Sequence, residues 1–184
     1  MTTATATIPA GTYVTDPVHT SFGFAVKHLG IATVRGRFTD FDGRLELGED
    51  PASAHFSGTA RTASVDTGEH QRDEHLRSAD FFDADANPEL RFESTSVRAL
   101  DEENYEIEGN LTMHGLTRPL SLNAEFLGAE SDPYGNDRIA FEITGKLNRS
   151  DWDMKFNAAL GSGNLVVSDT VKIAIDVSAI RQAA

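Results

Sequence analysis

Apolar and polar residues alternate most regularly between Tyr105 and Phe126. Every second residue from Tyr105 to Met113 is apolar or glycine, and polar residues fill the positions between them. The alternation stops at His114 and Gly115 and resumes from Leu120 to Phe126. A period of two predicts β-strands with one dry face, and a short glycine-containing break between two such strands predicts a hairpin. The segment therefore predicts antiparallel sheet.

Short segments of the same kind recur along the chain, separated by turn residues. With the hairpin, the predicted strands cover residues 11–16, 22–26, 34–47 with an interruption at 40–43, 54–65, 90–97, 105–113, 120–126, 139–147 and 171–180. About eight or nine such strands predict an all-β barrel or sandwich. We favour a closed antiparallel barrel of eight strands, because long apolar strands such as 171–180 are an aggregation hazard when left at an edge. An eight-stranded barrel is either filled by side chains or holds one small ligand.

Residues 67–83 break the strand pattern. The part from 69 to 78 is strongly polar and rich in helix formers, with Leu76 as its main apolar residue, and Phe81 and Phe82 follow. This composition predicts one short surface helix over 69–78 that leads into an aromatic plug. Two interpretations stay open: the helix is a lid over the barrel mouth, or it caps the end of the core.

Length and composition narrow the choices. A chain of 184 residues suits one domain, which we expect to span 1–184 with a loosely held stretch at 1–10. The formal charge of −13 repels polyanions, so nucleic acid and acidic membrane surfaces are poor candidate partners. The absence of cysteine excludes disulfides and thiolate sites. Neither a signal peptide nor a long apolar span is recognisable, so we expect a cytoplasmic protein without stable membrane insertion.

Chemical motifs are scarce. The six histidines show none of the spacings typical of metal sites, and His70 with Asp73 and Glu74 fits a solvated helix better than a weak metal site. Nucleophile-elbow and phosphate-loop motifs are both absent from the sequence. We therefore expect no catalytic residues, no metal and no required cofactor. Trp152, with Met154 and Phe156, lies in a connection between strands, where these side chains would cover the core or a pocket entrance.

The string Gly109-Asn-Leu-Thr-Met-His-Gly-Leu-Thr-Arg-Pro119 resembles the signature of the YceI-like family. Further blocks follow the family pattern in order along the chain: Tyr13 to Asp16, His19 to Phe22, Val26 to His28, Val34 to Phe38, Phe41 to Gly43, Asp73 to Phe82, Leu147 to Trp152 and Asp169 to Ile173. The pair that the family writes as His-Ser is His19-Thr20-Ser21 in this chain. The resemblance covers nearly everything from residue 13 to 180.

This resemblance implies a lipocalin-like barrel whose interior holds a polyisoprenoid, such as a prenyl quinone or a polyprenyl phosphate. The implied role is binding, in isoprenoid transport or storage, with the bound isoprenoid as the small-molecule partner. A homodimer stays open. Two alternatives remain: a pocket enzyme of the isomerase or cyclase type with His28 or His75 as base, and a stress-related interaction protein whose filled barrel holds no ligand.

The candidate ligand-binding residues fall into three groups. The predicted lining of the tail channel comprises Phe22, Phe24, Phe38, Phe56, Phe92, Leu111, Met113 and Phe141. Aromatic residues of the plug and of the later connection, Phe81, Phe82 and Trp152, would close it. The polar candidates for a head group are His28, Arg35, Arg37 and His75. Arg35 and Arg37 are two residues apart and therefore share one side of their strand.

Overall fold

The structure is a computed structural model that describes residues 8–163 and 165–183. These residues form eleven strands and one α-helix, α1 (His70–Arg77). The strands are β1 (Gly11–Thr15), β2 (Ser21–His28), β3 (Ala32–Phe38), β4 (Phe41–Leu47), β5 (His55–Arg61), β6 (Val65–Asp66), β7 (Glu89–Ala99), β8 (Asn104–Met113), β9 (Leu116–Ser131), β10 (Asp137–Asn148) and β11 (Val167–Arg181). Short 3-10 turns cover Pro51–Ser53, Thr62–Ser64 and Arg149–Trp152.

Antiparallel pairing closes eight of these strands into a ring in the order β1, β4, β5, β7, β8, β9, β10, β11. The ring closes because β1 pairs with both β4 and β11. The remaining three strands continue this wall: β2 pairs with β11 beside β1, β3 pairs with β2, and β6 pairs with β3. The predicted fold class, an all-β antiparallel eight-stranded barrel with one short helix, is confirmed.

Two predicted strands are each divided in the structure. The segment 34–47 breaks at Thr39 and Asp40, so that Gly43 lies within β4 and the predicted interruption is shorter than expected. The segment 54–65 breaks after Arg61 at a 3-10 turn. The two breaks bond to each other, since Ser64 O accepts from Thr39 N and Asp40 O accepts from Arg61 N. Neighbouring strands therefore bend together without leaving these backbone groups unpaired.

The hairpin of β8 and β9 agrees with the alternation in the sequence. His114 and Gly115 form its two-residue turn with φ values of 52° and 75°. Positive φ at both central residues is the geometry that matches the twist of a hairpin. Trp152 supports the turn, because its Nε1 donates to Leu111 O at 3.0 Å and its own carbonyl oxygen lies 2.9 Å from His114 Nδ1.

Helix α1 lies within the predicted range. Glu69 caps its N-terminus by accepting from the backbone N–H groups of Gln71 and Arg72. The buried carboxylate of Asp73 accepts from both N and Oγ1 of Thr67, which fixes the helix to the segment after β6. One end of the barrel, called the helix end below, thus carries α1, the turn of the β8–β9 hairpin, the β2–β3 hairpin and the connection from β10 to β11.

The opposite end carries the first and the last of the described residues. Ile8 packs against the core, and the Tyr13 hydroxyl donates to Pro9 O at 2.8 Å. Residues 8–10 therefore contact the barrel, although the sequence predicts a loosely held stretch over 1–10. The remainder of that stretch, residues 1–7, lies outside the described residues.

Candidate ligand-binding cavity

A cavity of about 250 Å³ occupies the interior of the barrel. Its lining is almost entirely apolar. At the helix end Leu76, Phe81, Phe82 and Met154 border it, and at the opposite end it stops at core residues that include Tyr13. The volume is close to the lower limit of small-molecule pockets, about 300–1,000 Å³. The barrel thus belongs to the class that leaves room for a ligand.

Inward-facing glycines explain why the interior is not filled. Gly43 and Gly58 are paired across β4 and β5, and both line the cavity. A Cβ atom added at Gly58 would meet only Asp42 O, at 3.6 Å. The Thr15 side chain occupies the space that a side chain at Gly43 would take, whereas the space beside Gly58 stays open to the cavity.

Two further glycines hold aromatic rings against the wall. A Cβ at Gly36 would overlap the ring of Phe24, which is its partner on β2. A Cβ at Gly109 would overlap the ring of Phe92 on β7. Each ring therefore occupies the space above a glycine on the next strand. This arrangement places both rings along the cavity wall and leaves the centre of the barrel open.

The phenylalanines form two groups. Phe38 contacts Phe22, Phe24 and Phe82, with ring centroids 5.4, 5.7 and 5.6 Å apart, and so joins β2 and β3 to the plug at the helix end. Toward the other end, Phe141 packs against Phe126 at 5.3 Å. Separations of 4.5–7 Å with tilted rings are favourable for aromatic pairs.

Arg149 is a buried cation at the helix end of the cavity. Its side chain borders the cavity, and the residue is only 5 % exposed. The guanidinium donates to three backbone carbonyl oxygens, of Ser168, Met154 and Val167, at 3.0, 2.7 and 3.3 Å. Burial lowers the pKa of Arg149, an effect that the nearby Asp169 carboxylate opposes. These bonds tie the 3-10 turn to β11, so most of the donor capacity serves the connection itself.

The structure brings most of the predicted site residues together around the cavity. Ten of them line it: Phe22, Phe24, Phe38, Phe56, Phe81, Phe82, Phe92, Leu111, Met113 and Phe141. Trp152 is 2 % exposed and packs behind the β8–β9 turn, away from the cavity lining. Contact of these residues with a ligand stays a prediction.

The four polar candidates are not brought together. Arg35 and Arg37 lie exposed on the outer face of β3, where Arg37 pairs with Asp66 at 3.2 Å. His28 is half-buried at the end of β2. His75 pairs with Asp80 at 2.7 Å on the outside of the helix end. The cationic cluster at the cavity that the sequence left open therefore does not form from these residues.

Apart from Leu111, the aliphatic part of the lining was not predicted from the sequence. Ile143 and Leu147 from β10 contribute to it, as do the inward-facing residues of β11, which are Val171, Ile173, Ile175 and Val177. The alternation of 171–177 does predict that these β11 side chains point into the barrel. Aliphatic strand residues are common in any core, so the sequence does not show which of them line a cavity.

Other kinds of site find little support in the part of the chain that the structure describes. No group of three or more His, Asp or Glu side chains there is placed to hold a metal ion, and His70 pairs with Glu74 at 3.2 Å. No histidine is found among the described residues that line the cavity. None of the helices in residues 8–163 and 165–183 has the length and apolar character needed to cross a membrane.

Comparisons with known proteins agree with this architecture. Residues 13–179 match the family described as the YceI-like domain. A UPF0312 protein of Photorhabdus laumondii is 41 % identical over 138 residues, which are 74 % of this chain and 71 % of that protein. A UPF0312 protein of Serratia proteamaculans is 38 % identical over 164 residues, with 89 % of this chain and 82 % of the relative covered.

Solved structures share the fold. The YceI protein of Campylobacter jejuni superimposes with a TM-score of 0.74 at 30 % identity and covers 85 % of this chain and 90 % of its own. A domain of Saccharophagus degradans, described as polyisoprenoid binding, gives a TM-score of 0.67 at 14 % identity over 95 % of this chain and 100 % of that domain. At that identity the likeness shows the fold alone. The match over residues 13–179, the relatives near 40 % identity and the closed barrel together show that this chain belongs to the YceI-like family.

Proposed function

We propose that the protein binds a long isoprenoid chain inside the barrel and acts as a carrier or store without catalysing a reaction. The observation that carries this proposal is the unfilled apolar cavity of about 250 Å³, built by inward glycines and bordered by aromatic and aliphatic side chains. The description of the Saccharophagus domain as polyisoprenoid binding supports the choice of ligand class, through a shared fold.

The affinity would come from burial of the tail. Transfer of apolar surface from water contributes roughly 25 cal/mol per Å², or about 0.8 kcal/mol for each buried methylene group. The wall offers almost no polar partners to a ligand, so a flexible hydrocarbon fits it better than a polar metabolite. Affinity should therefore increase with the number of prenyl units until the cavity is full.

The head group should be neutral, as in a prenyl quinone. Two arginines are among the residues around the cavity: Arg149 is engaged by three carbonyl oxygens, and Arg44 pairs with Glu46 at 2.8 Å. Arg35 and Arg37 lie on the outer surface. A pyrophosphate would have to recruit Arg149 away from these partners. Against a net charge of −13, a dianion also approaches unfavourably.

Extraction of the purified protein into organic solvent, followed by mass spectrometry, tests the proposal. We expect a retained isoprenoid lipid, and saturable binding of added prenyl quinones by stripped protein. Gly58→Leu supplies the specific control, because its side chain points into the cavity and its Cβ fits without a clash. Thr144→Leu adds a leucine to the outer face of β10, at an exposed residue that does not line the cavity, and should bind as the wild type does.

Three results would contradict the proposal. Equal binding by Gly58→Leu and Thr144→Leu would place the ligand outside the cavity. Chemical turnover of an added isoprenoid would favour the pocket enzyme. An empty extract, together with no binding of any added prenyl compound, would favour the alternative of an interaction protein that holds no ligand.

A further inference from the structure

Four cations gather on the outer face of the barrel near the helix end. Lys146 on β10 is the register partner of Lys172 on β11, Lys172 is the partner of Ala25 on β2, and Ala25 is the partner of Arg35 on β3. With strands about 4.8 Å apart, this row crosses roughly 15 Å of the wall. Lys27 lies two residues after Ala25 on β2, on the same outer face, and is next to this row. We call Lys27, Arg35, Lys146 and Lys172 the cationic face.

The cationic face has no evident role in stabilising the fold. All four side chains are exposed, and within the described residues none of them pairs with a carboxylate. Like charges placed directly opposite on neighbouring strands, as Lys146 and Lys172 are, lower sheet stability. On β11, Asp169 lies three residues from Lys172 but accepts hydrogen bonds from Ser150, and Asp176 lies four residues away toward the opposite end. On β10 the nearest acid to Lys146 is Glu142, four residues away. The arrangement therefore favours an external partner over an internal one.

The distribution of charge across the whole chain strengthens this point. The sequence has 29 acidic residues against 16 lysines and arginines, and its four lysines are Lys27, Lys146, Lys155 and Lys172. Three of the four lie on the cationic face. A long-range field set by a net charge of −13 repels an anionic surface from most directions, so this face is the side that such a surface would approach.

Exposed apolar side chains adjoin the cationic face. Ile31, at the tip of the β2–β3 hairpin, is 78 % exposed, and Leu165, in the connection before β11, is 48 % exposed. The two loops meet, because Leu29 N donates to Val166 O at 3.0 Å. Lys27 is on the same hairpin, where its Nζ donates to Thr33 Oγ1. An apolar tip beside a row of cations is the combination that binds at the interface of an anionic bilayer.

We propose that the cationic face, with the tip of Ile31 and Leu165, docks the protein on the surface of an anionic lipid bilayer. The inference rests on the proposed function in one respect, namely that an isoprenoid ligand resides in a bilayer and must be exchanged with it. A nucleic acid would use the cations but not the apolar tip, whereas a lipid surface uses both. The net charge, which predicts repulsion from acidic membranes, describes the average surface and not this face.

Co-sedimentation with vesicles tests the docking surface. The probes are vesicles of phosphatidylcholine alone and of equal parts phosphatidylcholine and phosphatidylglycerol, at low and high salt. We expect binding to the anionic vesicles that weakens as salt rises, and little binding to the neutral ones. The triple variant Lys146→Gln, Lys172→Gln, Arg35→Gln should bind at least about tenfold more weakly, since each cation near an anionic membrane contributes about a fivefold factor.

A matched triple variant separates the cationic face from net charge. Arg61→Gln, Arg91→Gln, Arg98→Gln removes the same number of positive charges from β5 and β7, where the three arginines pair with Glu89 or Glu106. It should keep the affinity of the wild type for anionic vesicles, or nearly so. Ile31→Ser should weaken vesicle binding at high salt, where the electrostatic contribution is screened.

The proposal fails if the two triple variants bind vesicles equally, or if neutral and anionic vesicles bind equally. It also fails if soluble polyglutamate or single-stranded DNA binds the cationic face as tightly as the vesicles do, because an acidic protein or a nucleic acid would then be the better partner. Binding of a prenyl quinone in detergent solution, without vesicles, is measured on both triples. If neither triple variant binds the quinone, the proposed function is wrong, whereas the docking result still stands.

Discussion

Two walls of the same barrel differ in how their inward side chains are packed. On β8 and β9, which we call the packed wall, Ile107, Leu111, Leu120, Leu122 and Phe126 are all buried. On β11 and β2, the open wall, the inward residues Ile173, Ile175, Val177, Phe22 and Phe24 are only half-buried, although they face the interior as well. Their accessible surface faces the cavity.

This difference shows that apolar alternation has two outcomes inside one barrel. The packed wall is supported by Trp152, which bonds to Leu111 O, and by the rings of Phe92 and Phe141. The open wall lies across the barrel from strands that have glycine at inward positions. Side chains that lack a partner across the barrel keep surface available for a ligand. The packed wall should therefore govern stability, and the open wall should govern binding.

The strongest test compares Leu122→Ala on the packed wall with Ile175→Ala on the open wall. Removal of the Leu122 side chain should lower the free energy of unfolding by about 2–5 kcal/mol, because Leu122 is buried and packs over Gly145. The Ile175 change should cost less than half of that, since its surroundings are already incompletely packed, and should weaken prenyl-quinone binding about tenfold. Urea unfolding and ligand titration measure the two effects.

Equal losses of stability in these two variants would show that the open wall is packed as tightly as the other. In that case the distinction between the walls would be wrong.

Phe24→Ala and Met113→Ala sharpen the comparison at residues that line the cavity from the two walls. Met113 is 5 % exposed and should behave mainly as core, with a stability loss of about 2–4 kcal/mol. Phe24 rests on Gly36 and faces the cavity, so its truncation should lower ligand affinity more than stability. A large stability loss for Phe24→Ala, with unchanged binding by the folded fraction, would assign Phe24 to the core.

A third test concerns how the open wall is held where β1 ends and β2 begins. Arg138 on β10 binds both Asp16 and Asp132, each at 2.8 Å. Hydrogen bonds from His19 and then Arg138 lower the pKa of Asp16 from 3.8 to about 2. Because the folded pKa is below the unfolded one, the stabilisation is present above pH 3.8 and is lost as the pH falls toward about 2.

Asp16→Asn should therefore be less stable than the wild type at neutral pH, and the difference should shrink through this acidic window. Urea unfolding at a series of pH values measures it. A difference that is independent of pH would mean that Asp16 stabilises the wall through the geometry of its turn and not through its charge.

The smallest expected effect concerns the head group. A prenyl quinone should bind somewhat more tightly than a polyprenyl pyrophosphate with the same tail, because both ligands use the same walls and only the pyrophosphate meets the repulsion of the acidic chain. Titrations at low and high salt compare them. Tighter pyrophosphate binding that weakens with salt would show that Arg149 exchanges its carbonyl partners for the ligand.

Most of the strands and the helix are predictable from the sequence, and the long apolar strands favour a closed barrel over an open sheet. Alternation with a period of two placed nearly all the strands, and the pattern of His114 and Gly115 placed the hairpin turn, because strand pleating and positive φ are local requirements. Polar composition likewise located α1. Eight of the ten predicted site residues that line the cavity lie on strands, where the alternation places them inward, whereas Phe81 and Phe82 were predicted as the aromatic plug after α1.

Whether the interior is full is not predictable from the alternation, because it depends on which side chains meet across the barrel. The pairing of Gly43 with Gly58 is a matter of register between strands, and register is set by the whole closed ring. For the same reason, the placement of Arg149 at the cavity and of Lys146 opposite Lys172 depends on residues distant in the chain. Periodicity identifies the face to which a residue belongs, whereas contacts across strands decide what that face does.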